Sequence, residues 1–282
     1  MLKQRLITAA ILIPVILWGI LNLSSIPGFA IVLGIFVVLG ALEWMRLIKL
    51  EDNTSLNFSS VKISYLAIII MSMLASLALM QSGFLFFLFL SASVIWWIMQ
   101  LTHLSSYAGE TGVKSEQLLE NLWSGCMLLV PTWAALIFIH QDASHGPQLV
   151  LFLMVLIWTA DSGAYFSGRK YGKNKLMPMV SPGKTKEGAY GAFAASGLVA
   201  VIGGVWLDLG FFQFIFFILL SMVVVVFSIG GDLLESVYKR KAEVKDSGTL
   251  LPGHGGVLDR IDSLMSASPI FALGIWVLGI IE

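Results

Sequence analysis

Residues 236–262 read SVYKRKAEVKDSGTLLPGHGGVLDRID. This stretch is polar and glycine-bearing, and it lies between two runs that are almost wholly apolar. Charge therefore collects at a point where the chain leaves one hydrophobic segment and enters the next, as in a polytopic membrane protein. Lys239, Arg240, Lys241, Lys245 and Arg260 supply cations, Asp246, Asp259 and Asp262 supply carboxylates, and Gly253-His254-Gly255-Gly256 supplies a bend. Carboxylate oxygens suit a hard cation such as Mg2+, Lys and Arg neutralise phosphate oxygens, and glycines let backbone N–H groups come close. An enzyme that handles phosphates through a divalent metal needs all three.

Composition agrees. Of 282 residues, 57% are hydrophobic and 12% charged, with a mean hydropathy of +0.89, whereas a soluble domain carries about 25% charged residues. Apolar runs of spanning length fall near 7–23, 28–45, 63–80, 83–101, 122–140, 148–167, 188–207, 211–229 and 264–281. They predict an all-α polytopic membrane protein of about nine transmembrane helices, with a cytoplasmic N-terminus and the C-terminus outside. The apolar run after Lys3 and Arg5 is too long for a signal-peptide core and no A-x-A-like site follows, so a retained first span is expected. With this topology all 17 Lys and Arg residues fall on the inner side, including Arg46, Lys49, Lys62 and Lys114, as the positive-inside rule requires. The expected organisation is one integral membrane domain, 1–282. Within it, 1–140 forms an N-terminal helical bundle and 141–282 a catalytic part with cytoplasmic loops 168–187 and 230–263.

Several features read as structural. Cys126 lies in an apolar run and is expected to pack as a small hydrophobe. Trp44, Trp96 and Trp97 suit an interfacial aromatic belt. Glu110, Glu116 and Glu120 read as a solvated face. The Gly- and Ala-rich run 188–207 favours close helix packing over lipid contact, and such spans suit a homodimer.

Two segments carry the chemistry. Ser181-Pro182-Gly183-Lys184-Thr185-Lys186-Glu187 lacks the G-x4-G-K-S/T spacing and a preceding strand, so it is not a Walker A loop. Its Lys184, Thr185 and Lys186 nevertheless suit phosphate near a helix start, while Arg169, Lys170, Lys173 and Lys175 fit anchorage to acidic headgroups. Asp161, read as the one carboxylate clearly within a span, is either a packing partner for a cation or a polar wall of the site. If the eighth helix continues past residue 231, Asp232, Glu235 or Ser236, and Lys239 line one face. Asp259 and Asp262 are likewise three apart; a plain helix N-cap is the bland alternative for Asp259. Carboxylates gathered this closely repel one another unless a cation lies between them. His254 either meets phosphate, shuttles a proton or satisfies a loop carbonyl.

The run Ser236-x2-Lys239-Arg240-x4-Lys245-Asp246-x-Gly248-x2-Leu251-Pro252-x-His254-Gly255-Gly256-Val257-x-Asp259-Arg260-Ile261-Asp262 resembles the signature of the phosphatidate cytidylyltransferase (CDP-diacylglycerol synthase) family. The 181–188 segment resembles the corresponding part of the same family. One position departs mildly, Tyr238, where an aliphatic residue or Phe is expected. The resemblance implies a membrane nucleotidyltransferase of phospholipid biosynthesis that joins CTP and phosphatidic acid. It implies Asp259, Asp246, Lys245, Arg260 and His254 as catalytic residues. Lys184, Thr185, Lys186, Ser236, Lys239, Arg240, Gly255 and Gly256 would bind substrate. Asp232, Asp246, Asp259 and Asp262 would hold Mg2+, alone or with a second cation. The implied partners are CTP, phosphatidic acid and membrane lipids, with no nucleic acid. The implied location is a bacterial inner membrane, with the site facing the cytoplasm. A CDP-alcohol phosphotransferase is disfavoured because its D-x2-D-G-x2-A-R…G-x3-D-x3-D pattern is missing. A transporter is disfavoured because the charge sits in loops rather than at the bilayer midplane.

Overall fold

The computed structural model describes residues 2–48, 58–107, 118–251, 253 and 255–281. The expectations for Lys49, Glu110, Lys114, Glu116 and His254 fall outside these residues, as do the side chains of Lys3 and Arg5. Nine α-helices are present among the described residues: α1 (Leu2–Asn22), α2 (Ala30–Leu47), α3 (Phe58–Met80), α4 (Gly83–Tyr107) and α5 (Leu118–His140) come first. Then follow α6 (Gly146–Tyr171), α7 (Lys186–Trp206), α8 (Phe211–Lys241) and α9 (Leu258–Val277). A single π-helical turn, Ser25–Phe29, leads into α2.

Each helix overlaps one of the nine apolar runs. Seven are long and apolar enough to cross a membrane, counting α2 together with its π-turn; the two that fall short of the nine expected are α1, whose described apolar part is only Ala10–Asn22, and α9. α9 is the most instructive, because it mixes apolar residues with Ser263, Ser266 and Ser268, all buried. The hydroxyls of Ser266 and Ser268 are satisfied inside the bundle. Ser266 donates to the Phe227 carbonyl at 2.7 Å and Ser268 to that of Leu264 at 2.6 Å, while Thr132 donates to the Met265 carbonyl at 3.0 Å. Small side chains also let helices close up: a Cβ at Gly231 would overlap Ser266 Oγ, so α8 and α9 meet almost backbone to backbone.

α8 and α9 pack together extensively, as do α6 and α7, while α5, buried along most of its length, lies against α9, α2 and α3. At the α6–α7 seam Gly163 and Gly191 approach so closely that a Cβ on either would strike the other helix. The Gly/Ala-rich seventh run thus packs tightly on one side, although Leu198, Val201, Ile202 and Val205 leave its other side exposed.

Two features of the charged region were not expected. α8 continues three turns beyond residue 229 without a break, so much of the expected 230–263 loop is helix. The expected 168–187 loop holds a two-stranded antiparallel hairpin, β1 (Lys175–Met177) and β2 (Ser181–Thr185), with Met177 opposite Ser181. β2 runs directly into α7, so the phosphate-loop-like segment is itself a strand. The aromatic-belt reading is corrected: Trp44 and Trp97 are fully buried. Trp44 donates to the Asn121 carbonyl at 2.9 Å and packs against Tyr238, acting as core. Cys126 is buried and free, as expected.

Candidate active site

The continuous α8 places Asp232, Glu235, Ser236 and Lys239 on one helical face, since residues three, four and seven apart stack. Lys239 is buried with its Nζ 2.6 Å from Glu235 Oε2 and 2.7 Å from Asp259 Oδ1. Asp259 heads α9, ahead of that helix's apolar run. Its other oxygen accepts from the backbone N–H of Ser247 at 2.9 Å, from that of Gly256 at 2.8 Å, and from the Ser247 hydroxyl at 3.0 Å. Burial works against the Asp259 anion, but Lys239, Gly256 and Ser247 outweigh it and hold its carboxyl below the usual carboxylate range. Both oxygens of Asp259 are thereby engaged with the protein, and α9 is not N-capped by Asp259.

The cap comes from elsewhere. Glu43 of α2 accepts from the backbone N–H of Val257 at 3.0 Å and of Leu258 at 2.9 Å, two of the N–H groups that a helix start leaves unmade. Its Oε2 also lies 3.0 Å from the Ser247 hydroxyl. The sequence reading missed this residue. Its signal was available: Glu43 is a carboxylate inside the apolar run 28–45, so Asp161 is not alone in that respect.

Ahead of this buried chain lies a cavity of about 520 Å³ between α6, β2, the start of α7 and α8. Asp161, Tyr165, Arg169, Gly183, Lys184, Thr185, Gly188 and Asp232 line it. Its size falls among small-molecule sites, roughly 300–1,000 Å³. Lys184 Nζ pairs with Asp232 Oδ2 at 2.7 Å, and Ser236 donates to Asp232 Oδ1 at 3.3 Å. Thr185 N-caps α7 by accepting from the Gly188 N–H at 3.1 Å. Glu187 accepts from the backbone N–H of Lys173 and Asn174, both at 3.1 Å, which ties the end of α6 to the start of α7. Arg169, expected to be a headgroup anchor, lies in the cavity wall with its guanidinium 2.9 Å from the Tyr165 hydroxyl.

The remaining expected residues divide. Lys186, Lys245, Asp246 and Arg260 are exposed. Arg240 is tied to the hairpin turn, with Nε donating to the Val180 carbonyl at 3.2 Å. Gly255 has φ +82°, a left-handed conformation that favours glycine. A Cβ at Gly256 would overlap Ser247 Oγ and Glu43 Oε2, so this glycine makes room for a carboxylate of the protein itself. Asp262 is half-buried; burial first, then the carboxylates of Asp232 and Glu235, push its carboxyl well above the usual range. Among the described residues no three His, Cys, Asp or Glu side chains converge as a cation cage. Asp232 and Asp262 still fit Mg2+. The ion commonly takes one or two protein carboxylates and completes its shell with water and substrate phosphates, and here Asp232 lies in the cavity wall paired with Lys184, while its carboxylate and that of Asp262 disfavour each other's charge.

A helical membrane bundle with a small-molecule-sized cavity, lined by both signs of charge at its Lys- and Arg-rich end, fits a class: integral membrane enzymes acting on phosphorylated substrates. The chain belongs to the Cytidylyltransferase family, whose sequence profile matches residues 3–278. It is 40% identical to a phosphatidate cytidylyltransferase of Pseudomonas aeruginosa over 281 residues, covering 99% of this chain and 98% of that one. A phosphatidate cytidylyltransferase of Haemophilus influenzae is 37% identical over 285 residues, covering 96% of this chain and 98% of its own. One of Bacillus subtilis is 43% identical over 125 residues, 44% of this chain and 46% of its own.

Proposed function

We infer that this chain transfers the cytidylyl group of CTP to phosphatidic acid, giving CDP-diacylglycerol and pyrophosphate. A phosphate oxygen of phosphatidic acid forms a bond to the α-phosphorus of CTP, and the bond to the β-phosphate oxygen breaks, releasing pyrophosphate. The observation that carries the reading is the cavity, where Lys184 and Arg169 face Asp161 and Asp232 at the charged end of an apolar bundle. A phosphate monoester is already a nucleophile near neutral pH, so the site needs position and charge rather than a strong base. Lys184 and Arg169 neutralise phosphate oxygens there, and Lys186, Lys245 and Arg260 are further exposed cations at the same end of the bundle. Lys239 and Asp259 brace the wall from behind, because their polar atoms are bound to each other, Glu235, Ser247 and Gly256. Asp232 and Asp262 are the proposed ligands of Mg2+, with Asp246 exposed nearby in the connecting loop. Bound there, the cation would neutralise triphosphate charge and polarise the phosphorus under attack. The two substrates differ in solubility, and a site at the membrane surface serves both; we place that surface on the cytoplasmic side of a bacterial inner membrane.

The test uses purified protein in mixed micelles with phosphatidic acid, Mg2+ and radiolabelled CTP. Lipid-extractable label is expected from the wild type. It should vanish with EDTA and fall by about 10²-fold or more in Asp232→Asn. A folded wild type that makes no labelled lipid would overturn the reaction. Undiminished label with EDTA and in Asp232→Asn would keep the reaction and remove the cation from Asp232.

A further inference from the structure

We propose that Glu43 is the positioning residue of this site: it sets where the head of α9 lies, and with it where the first turn of that helix, carrying Asp259 and Asp262, meets α8 beside the cavity. The inference rests on the reaction proposed above and adds a residue far from its motif in sequence. Glu43 is 4% exposed, on a helix whose one other charged side chain is Arg46 in its last turn, and 214 residues from Val257 in sequence. A buried carboxylate is costly unless its lone pairs are met. Here three donors meet them: Val257 N–H, Leu258 N–H and the Ser247 hydroxyl. Ser247 and Val257 belong to the connection between α8 and α9, and Leu258 opens α9.

The surroundings are shaped for this contact. A Cβ at either Gly248 or Gly256 would overlap a Glu43 oxygen, so two glycines of the connection clear space for one side chain. Ser247 extends the contact, because its hydroxyl also lies 3.0 Å from Asp259 Oδ2. A continuous chain results: Glu43, Ser247, Asp259, Lys239 and Glu235, joining α2, the connection, α9 and α8. One hydroxyl proton serves one carboxylate at a time, so Ser247 couples the two acids rather than satisfying each independently.

What Glu43 controls is placement. Leu258 is the first residue of α9, and Arg260 and Asp262 follow within its first turns. A Cβ at Gly231 would overlap the Asp262 carbonyl, so the first turn of α9, which Glu43 pins, lies directly against the residue beside Asp232 of the cavity wall. A shift of about 1 Å at such a point costs about 10²-fold in turnover when alignment is what the site supplies. Glu43 does not itself line the cavity, so it acts through the head of α9 and is not a catalytic residue.

The experiment compares wild type, Glu43→Gln, Ser247→Ala and the double variant as full chains in detergent. It measures turnover at saturating substrates, KM for CTP, thermal midpoint, and the rate of tryptic cleavage after the exposed Lys245. Glu43→Gln preserves volume but replaces an acceptor oxygen with a donor. We expect a folded protein whose turnover is down about tenfold or more while KM for CTP stays within about twofold. Ser247→Ala should fall severalfold, the double variant should be little worse than Glu43→Gln alone, and cleavage after Lys245 should speed up. Wild-type turnover in folded Glu43→Gln, a loss that only follows the folded fraction, or a change confined to KM overturns the proposal. If Glu43→Gln does not fold, wild-type turnover in Ser247→Ala overturns it. A wild type without lipid product sinks the reaction instead. Glu43 is then read from the Lys245 cleavage rate alone, and unchanged cleavage removes its hold on the connection.

Discussion

Lys239 holds two buried carboxylates on one ammonium, Glu235 at 2.6 Å and Asp259 at 2.7 Å. Replacing it by Met keeps the apolar stem and leaves two acids unpaired away from water. Lys239→Met should therefore lose about 3–5 kcal/mol of stability, read as a lowered thermal midpoint in detergent. The two aspartates of α9 respond to pH with opposite signs. Asp259 is held below its ordinary value, so its stabilisation is full above about pH 4 and is lost as pH falls through its folded-state value. The gap in thermal midpoint between wild type and Asp259→Asn should narrow in acid. Asp262 is held above its ordinary value, so its ionisation opposes folding as pH rises from about 4 through the folded-state value. Without divalent cation, Asp262→Asn should gain on the wild type as pH rises. With Mg2+ that gain should shrink or reverse, because a cation beside Asp232 and Asp262 favours the ionised pair.

At the scale of elements, the site depends on how strand and helix ends meet. Thr185 closes β2 and caps α7 in one residue, and its neighbour Lys184 reaches Asp232. Thr185→Val keeps the shape and removes the acceptor, so it should cost about 1 kcal/mol and weaken CTP binding more than Thr185→Ser, by KM. The α6–α7 seam is stricter. A side chain at Gly191 would meet Ser167 and the Gly163 carbonyl, so Gly191→Val should separate the two helices and abolish activity while also lowering the thermal midpoint. The run 188–207 announced close packing by its composition. The partner glycine on α6 could not be read, because pairing between two spans is set by rotation and register that no local pattern records.

The whole molecule arranges its helices so that the described Lys and Arg side chains gather at the end where the cavity opens. If that end faces the cytoplasm, Lys173→Cys should resist a membrane-impermeant maleimide applied from outside and react after permeabilisation. Ser144→Cys, in the opposite connection between α5 and α6, should react from outside. Buried Cys126 should contribute little background. The helical class, all nine apolar runs and the family were legible in the sequence, because hydrophobic length and a dense polar signature are local properties. The extension of α8 was legible only conditionally, as a face that would form if the helix continued. The hairpin was not, since its strands of three and five residues carry no alternation long enough to register. The division of labour among the acids was also closed to the sequence. Asp232 faces a cavity, Asp259 is consumed by internal donors, and Glu43 arrives from a helix more than 200 residues away. By itself the chain determined that it would be a helical membrane enzyme with its charge at one surface, since burial and spacing follow from residue order. Only the tertiary structure decided which charges meet each other and which stay open to a substrate, because in a buried polar network each donor goes to whichever acceptor packing brings within reach.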